Sequence, residues 1–507
     1  MISILIIVIA SINFMNLSTA QASKRAKEVG LKKVCGSSRT ALIAQFLTES
    51  IILSFLALIL SILIIQLSLP HFNNLLGVKI EPHILQKWFY IPFLIVFSII
   101  IGLFAGSYPS FYLSSFSPVK VLKSGNPGSK SNIRLRSILV IIQFSISIIL
   151  IVGTSIMFRQ INYMLNKDLG FNKENIMVVS NAGVIDDKVN SFKEAVKKLP
   201  GVINFSASTA VPGINNNTNG YGIEGRNEES FLLQTSWVDF DYMETYGLKI
   251  EEGRFFDESF STDSGACVLN TSALAQFGLE KPLETRLMVP EEDGMQSLPV
   301  IGAVNNFHFT SLENEIQPYI FRFKTKDINW GYLSIKLASG FDSEIIKKIE
   351  EEWNVFSSND PMNYFFIDDS LDEMYKSEKQ NAQLAIVFSI LGLVIAALGL
   401  FGLTSFTIEQ RTKEIGIRKA MGGSIKSIFV LISKEIVILI CISAIIGWPI
   451  IYYFAKSWLQ NYYYRIEIGA IDLLPGLIIT LFIALFTISF KILKTSRISP
   501  ANSLRYE

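Results

Sequence analysis

The stretch KEIGIRKAMGG, Lys413 to Gly423, sets cations, an acid and glycines between two long apolar runs, and KEVGLKKVCGS, Lys27 to Ser37, does the same near the other end of the chain. A shift of 386 positions lays Arg25 on Arg411, Lys27 on Lys413, Glu28 on Glu414, Gly30 on Gly416, Lys33 on Lys419, Gly36 on Gly422, Ser38 on Ser424 and Glu49 on Glu435. In each copy an apolar set follows the i, i+3, i+4 spacing of an amphipathic helix. The sets are Leu31, Val34 and Cys35, then Ile417, Ala420 and Met421, with Lys32 and Lys33 or Arg418 and Lys419 opposite. Gly30 and Gly36, like Gly416 and Gly422, bracket a short helix between turns. The chemistry open to such a piece is recognition. It could rest on anionic headgroups or dock in a groove of a cytoplasmic partner. A resting helix does not require the same acid, glycines and register twice, so docking is the better reading.

Other chemistries find no footing. There is no G-x-x-x-x-G-K-[ST] to cradle a nucleotide phosphate. No Ser/His/Asp or Cys/His set falls together, and Asp368 and Asp369 sit at a helix start, where capping is their expected role. His71, His83 and His308 show no ligand spacing. His308 reads as a strand residue with a structural hydrogen bond. Cys35, Cys267 and Cys441 are scattered. No catalytic, cofactor-binding or metal residue is expected. Glu49 and Glu435 are polar residues inside apolar runs, a placement that marks function by default. Both lie near the run ends, so pairing with a nearby Lys or a partner subunit is expected rather than proton relay.

Long apolar elements must carry these phrases. Half of the 507 residues are hydrophobic, and they cluster in seven runs, roughly 2–18, 43–68, 90–113, 137–158, 382–407, 428–455 and 468–490. Each is about 18 residues or longer and reads as a transmembrane helix. Nothing charged precedes the first, so it reads as a span, although STAQA at 18–22 resembles a cleavage site. The segments after the first, third, fifth and seventh runs are rich in Lys and Arg, which places them in the cytoplasm. The N-terminus and the 159–381 segment are then outside and the C-terminus inside. A net charge of +1 gives no reason to expect nucleic acid.

The repeat extends beyond the phrases. Residues 1–125 and 382–507 each read as span, basic loop, span, outer loop, span and basic tail, with Ser117-Pro118 echoed by Ser499-Pro500. Between them lie a linker and fourth span (126–158) and an outer domain (159–381). Arg159 to Asn172 reads as an outward continuation of the fourth span, and 368–381 as a second stalk. IMVV at 176–179, a helix over 187–198 and VINFSAS at 202–208 form one β-α-β unit. YLSIKL at 332–337, a helix over 342–355 and YFFID at 364–368 form another. Two such units split by an insertion, about 240–330, predict a ferredoxin-like lobe and a second lobe. The fold class is an α-helical membrane protein with one two-lobed α+β extracytoplasmic domain.

The phrase R-x-K-E-I-G-I-R-K-A-M-G-G resembles the coupling segment of MacB/FtsX-type ABC transporter permeases. WLQNYYYRIEI, SPANSLRYE, DYMETYGLKIEEGRFF and VNNFHFTSLENEIQP agree with the long permeases of Bacteroidetes-type bacteria. The resemblance implies a multi-pass protein of the bacterial inner membrane that is not itself an enzyme. ATP and Mg would be bound by a separate cytoplasmic ATPase subunit, with a periplasmic adaptor and an outer-membrane channel as further partners. The two phrases would be the ATPase-coupling helices. Their motion would drive export of a peptide or drug, extraction of a lipoprotein, or control of envelope enzymes without transport; a membrane-anchored receptor is the reading of another class. Such permeases carry two complete copies of span, outer domain and three spans. Here the first copy would lack its leading span and outer domain, which predicts little coupled activity from this chain alone.

Overall fold

The computed structural model describes residues 2–77, 80–81, 88–115, 130–214, 217–291, 294–323, 330–357, 360–410, 417, 421 and 425–496. Four long helices come first: α1 (Ile2–Val34), α2 (Arg39–Leu76), α3 (Tyr90–Ser114) and α4 (Lys130–Asn166). Then follow β1 (Ile176–Val179), α5 (Val189–Lys197), β2 (Val202–Ser208), β3 (Asn217–Ile223), β4 (Arg226–Trp237), α6 (Tyr242–Tyr246) and β5 (Ile250–Gly253). Next are β6 (Cys267–Asn270), α7 (Thr271–Phe277), β7 (Arg286–Glu291), β8 (Gly294–Val304), β9 (Tyr319–Arg322) and β10 (Tyr332–Leu337). The chain continues through α8 (Ser343–Phe356), β11 (Tyr364–Phe366), α9 (Ile367–Met374), α10 (Lys376–Gln410), α11 (Ile425–Leu459) and α12 (Ala470–Ser496). It divides into two compact units. One holds Met1–Arg159, Gln380–Trp458 and Glu467–Glu507, the other Gln160–Lys379 and Leu459–Ile466.

Seven helices among the described residues are long and apolar enough to cross a bilayer: α1 to α4 and α10 to α12. A helix is the natural form for such runs, because in lipid each backbone N–H and C=O must be satisfied within the segment. Between these helices, small and hydroxyl residues make several of the contacts. Ser145 donates to the Ser443 carbonyl (3.1 Å), Ser443 to that of Ile141 (3.1 Å) and Ser389 to that of Leu150 (3.2 Å). A Cβ at Gly106 would lie 2.5 Å from Ser50 Cβ, so α3 meets α2 there at backbone distance. The internal repeat is visible in this packing. Asn13 of α1 donates to the Ile395 carbonyl of α10 (3.1 Å), and Ile395 is the 386-shifted counterpart of Ile9. Both isoleucines pack with Ile146 and Leu150 of α4.

The other unit has two sheets. In the four-stranded sheet, ordered β11-β1-β10-β2, every neighbour is antiparallel. In chain order that is 4-1-3-2 with α5 and α8 as the connecting helices, the split β-α-β arrangement. Side chains alternate across β1, yet all four are buried. Met177 and Val179 pack under Phe192 and Trp353 of the two helices, while Ile176 and Val178 face a second core with Tyr242, Tyr246 and Phe307. The larger sheet runs β5-β8-β6-β9-β4-β3-β7, and β8 also pairs with β7, which closes a ring of six strands. Tyr221, Leu233, Leu269, Leu287 and Leu298 fill it.

Three expectations need correction here. The insertion begins near 209, not 240, because β3 and β4 pair with β7 and β9 of the larger sheet. α4 ends at Asn166 and not at Asn172. Residues 459–466, placed by sequence within the 382–507 module, pack instead in the unit of the two sheets.

Candidate coupling surface

The first charged phrase forms an elbow between α1 and α2. No turn occurs at Gly30: α1 runs unbroken through it to Val34, so the expected short, glycine-bracketed helix is the end of a 33-residue one. Gly36 does end the helix. The Gly36 N–H donates to the Lys33 carbonyl (3.1 Å) and the Ser37 N–H to that of Lys32 (3.0 Å), a Schellman cap with Gly36 at φ +95°. Two residues on, the Ser38 hydroxyl accepts from the Ala41 N–H (3.2 Å) and opens α2.

Three cations of this elbow are turned back on their own chain. Arg25 makes a two-pronged pair with Glu49 (2.7 and 2.8 Å), Lys33 donates to the Ser114 carbonyl (2.7 Å), and Lys32 reaches Glu28 (2.8 Å) and Gln45 (3.2 Å). The partner of Glu49 within the chain is thus an arginine and not the expected lysine. Beneath them Val29, Leu42, Phe46 and Leu113 form a small core. Leu31 and Val34, by contrast, are each 63% exposed, and Cys35 is exposed beside them. Lys27 lies on α1 in the same stretch, and Gly30 is buried.

Of the second phrase, Lys413, Glu414, Gly416, Arg418, Ala420 and Gly422 lie outside the described residues, as does Arg411. Ile417 and Met421 are described. The Met421 N–H donates to the Ile417 carbonyl (2.9 Å), one helical turn, and both side chains are exposed, at 52% and 83%. Glu435 is exposed on α11.

Sequence reasoning missed a second constellation, around Tyr464 in the segment between α11 and α12. The Tyr463 N–H donates to the Glu313 carbonyl (3.0 Å) and its hydroxyl to the Glu315 carboxylate (2.7 Å). Gln160 holds the segment twice, donating to the Tyr464 carbonyl (2.9 Å) and accepting from the Ile466 N–H (2.9 Å). The Tyr464 ring carries Lys167 over its face at 4.3 Å and meets the His308 ring edge-on at 4.7 Å. His308 lies in a loop, not a strand, and its N–H donates to the Leu169 carbonyl (2.8 Å). Burial, helped by Lys167, lowers its pKa to about 4, so the ring is neutral at neutral pH. Gly170 lets the two segments close, since a Cβ there would lie 2.5 Å from the Asn306 carbonyl oxygen. Among the described residues no three His, Cys, Asp or Glu side chains gather as a metal set.

The family model of the FtsX-like permease C-terminal region matches residues 1–118 and again 386–500, and that of the MacB-like periplasmic core domain matches 137–351. The chain carries two FtsX-like permease regions and, between them, a MacB-like periplasmic core domain. The double match makes the repeat one of whole modules. With its apolar helices it also makes this permease a multi-pass inner-membrane protein with an extracytoplasmic domain. The macrolide export ATP-binding/permease protein MacB of Aggregatibacter actinomycetemcomitans is 24% identical to the permease over 286 residues, covering 54% of this chain and 43% of that protein. The protein of the same name from Neisseria gonorrhoeae is 24% identical over 221 residues, covering 41% and 33%. The permease thus spans less than half the length of these curated relatives. A crystal structure of the periplasmic region of MacB from Actinobacillus actinomycetemcomitans matches 42% of this chain and 97% of its own at 15% identity, with a TM-score of 0.31.

Proposed function

We propose that the permease takes up motion from a separate cytoplasmic ATPase through its two charged phrases and passes it to the extracytoplasmic domain, to export or extract an amphipathic substrate such as a peptide, drug or lipoprotein. The observation that carries this reading is the elbow itself. Arg25, Lys32 and Lys33 are engaged by Glu49, Glu28, Gln45 and the Ser114 carbonyl, while Leu31 and Val34 stand in the open. A helix built to rest on anionic headgroups would present its cations outward. This one presents apolar side chains, and the described pair of the second phrase, Ile417 and Met421, does likewise. The basic character of these segments supports a cytoplasmic side for them, where the ATPase would hold the nucleotide and Mg. The relatives named for macrolide export carry ATP binding in the same protein, which supports an ATPase partner for this chain. A periplasmic adaptor and outer-membrane channel would complete an export path; without them the same motion would act mechanically on envelope enzymes.

The test replaces Leu31 and Val34 together by Asp. Buried in a docked interface, an unpaired carboxylate costs several kcal/mol, so association with the ATPase should fall at least tenfold while insertion and solubilised yield stay at the wild-type level. Unchanged co-purification would refute docking at the elbow.

A further inference from the structure

The outer domain and the rest of the chain carry opposite charge. Residues 160–379 hold 35 Asp and Glu against 19 Lys and Arg, a net charge of −16, while the remaining residues hold 9 against 26, or +17. A field of that size draws cations toward the acidic segment and repels anions from it. Anionic lipid headgroups are therefore poor ligands for this domain, and a neutral molecule gains nothing from its charge.

One end of the four-stranded lobe adds an apolar surface to that field. Here β1 finishes and β11 begins, with Tyr364 paired to Val179, and three loops are drawn together. The Lys188 ammonium donates to the Phe356 carbonyl (3.2 Å), the Asn181 amide to that of Pro361 (3.0 Å) and the Ser180 N–H to that of Asn363 (2.8 Å). Val184, Val355 and Tyr364 stand out from these loops, at 40%, 74% and 43% exposure. Single exposed apolar residues are ordinary on a protein surface, but a gathered set marks a place of contact.

The charge around this set is of one sign. Glu351 and Glu352 precede Val355 by four and three residues on α8, so all three share a helix face. Asp360 follows Val355 in the next loop, and Asp187 follows Val184. None of these four carboxylates has an ion-pair partner among the described residues. Lys188, the lysine among these loops, is held by the Phe356 carbonyl, and Lys347 and Lys348 lie two turns back along α8. An edge strand adjoins the set. β11 bonds β1 on one side and has no strand on its other among the described residues, which leaves backbone groups able to take up an extended segment.

We propose that this end of the lobe binds a cationic amphipathic peptide in extended form, its apolar side chains against Val184, Val355 and Tyr364 and its Lys or Arg facing Asp187, Glu351, Glu352 and Asp360. Apolar contact and negative charge are offered together, which selects such a peptide over the drug or lipoprotein also open to the export reading. The surface is a substrate site only if that reading holds; the binding itself needs no ATPase.

The probe is a short synthetic peptide of alternating Lys and Leu carrying a fluorophore, titrated into the full chain in nanodiscs of zwitterionic lipid. Binding should saturate above the level of empty nanodiscs. Val355→Ser with Tyr364→Ser should weaken it about tenfold without shifting the thermal unfolding of the protein. Glu351→Gln with Glu352→Gln should weaken it at low salt and flatten its salt dependence. Glu251→Gln with Glu252→Gln, the same change of charge at exposed positions on β5, should leave it unchanged. The proposal is overturned by binding no greater than that of empty nanodiscs, or by a double serine variant that binds as the wild type does. It is overturned equally by the same loss from the β5 pair, or by equal binding of a peptide of alternating Lys and Gly, either of which would show attraction to the acidic field alone. A Val355→Cys chain whose disulfide-linked dimers the peptide does not suppress would also overturn it, since a second copy would then cover this end. With no ATPase in the assay, loss of peptide binding strikes this site alone, and loss of co-purification with the ATPase strikes the coupling reading alone.

Discussion

In the unit of the two sheets, Trp353 and Phe205 meet Phe192 edge-on at ring distances of 5.6 and 5.8 Å, and none of the three is exposed. In the membrane unit helices come close at Gly106, Gly399, Gly402 and Gly476, with serine and threonine hydroxyls bonded to carbonyls of neighbouring helices. Large apolar side chains there, such as Phe482 and Leu398, point outward. The contrast follows from the surroundings. Burying an aromatic ring takes apolar surface out of water, but moving it from lipid to protein gains little. Helices in a bilayer therefore associate through close backbone contact and hydrogen bonds. Lys193 bridges Asp239 (2.5 Å) and Asp241 (2.6 Å) in the sheet unit. Burial pushes Asp239 up from the usual carboxylate range even so, while for Lys193 the two carboxylates outweigh burial and hold it above its ordinary value.

Cavity formation in the sheet unit should give the largest effect. Trp353→Ala removes a fully buried indole and should cost about 3–5 kcal/mol, read in the full-length protein as faster hydrogen exchange in β10 and α8. A loss below about 1 kcal/mol would erase the distinction between the units. Next is the acid response of His308. Its folded pKa of about 4 lies below the ordinary 6.5, so between those values the unfolded chain binds the proton and the native one does not. Stability should fall as pH drops from 6.5 to 4 and level off below, a change of roughly 3 kcal/mol. His308→Gln should flatten that slope in a thermal-unfolding series, and an unchanged slope would assign it to another group. The smallest effect belongs to the membrane unit. Ser443→Ala removes one interhelical hydrogen bond and should cost about 0.6 kcal/mol in a denaturation assay in mixed micelles; a cost above about 2 kcal/mol would show hydroxyls doing there what aromatic rings do in the other unit.

The sequence disclosed what local pattern controls. β1 and β2 lie at 176–179 and 202–208, where alternation and apolar runs put them, and β10 occupies 332–337. Long apolar runs correspond to the long helices because lipid leaves few other backbone solutions. What failed depended on context. Gly30 read as a break, but extending a helix already 28 residues long avoids the cost of nucleation, and one interior glycine costs only about 1 kcal/mol. Insertion strands β3 and β4 were invisible as members of the larger sheet because their partners, β7 and β9, lie far away in sequence. The apolar pattern of Leu31, Val34 and Cys35 was legible, but which side faced out was not: that depends on Lys33 finding the Ser114 carbonyl, 81 residues on. The partners of Tyr464 were hidden for the same reason, since nothing local in 459–466 marks Gln160 or His308.

The Tyr464 segment also constrains the order of assembly during synthesis. Gln160 meets Tyr464 across 304 positions, and α10 and α11 are made in between. The ribosome must therefore deliver two more membrane helices before the residues that close the sheet unit exist at all. Until then Lys167 and His308 lack the Tyr464 ring they pack against. Contacts of such wide separation are slow to form, so the last stage in maturation of the sheet unit waits on insertion of α11 and not on the folding of its own strands.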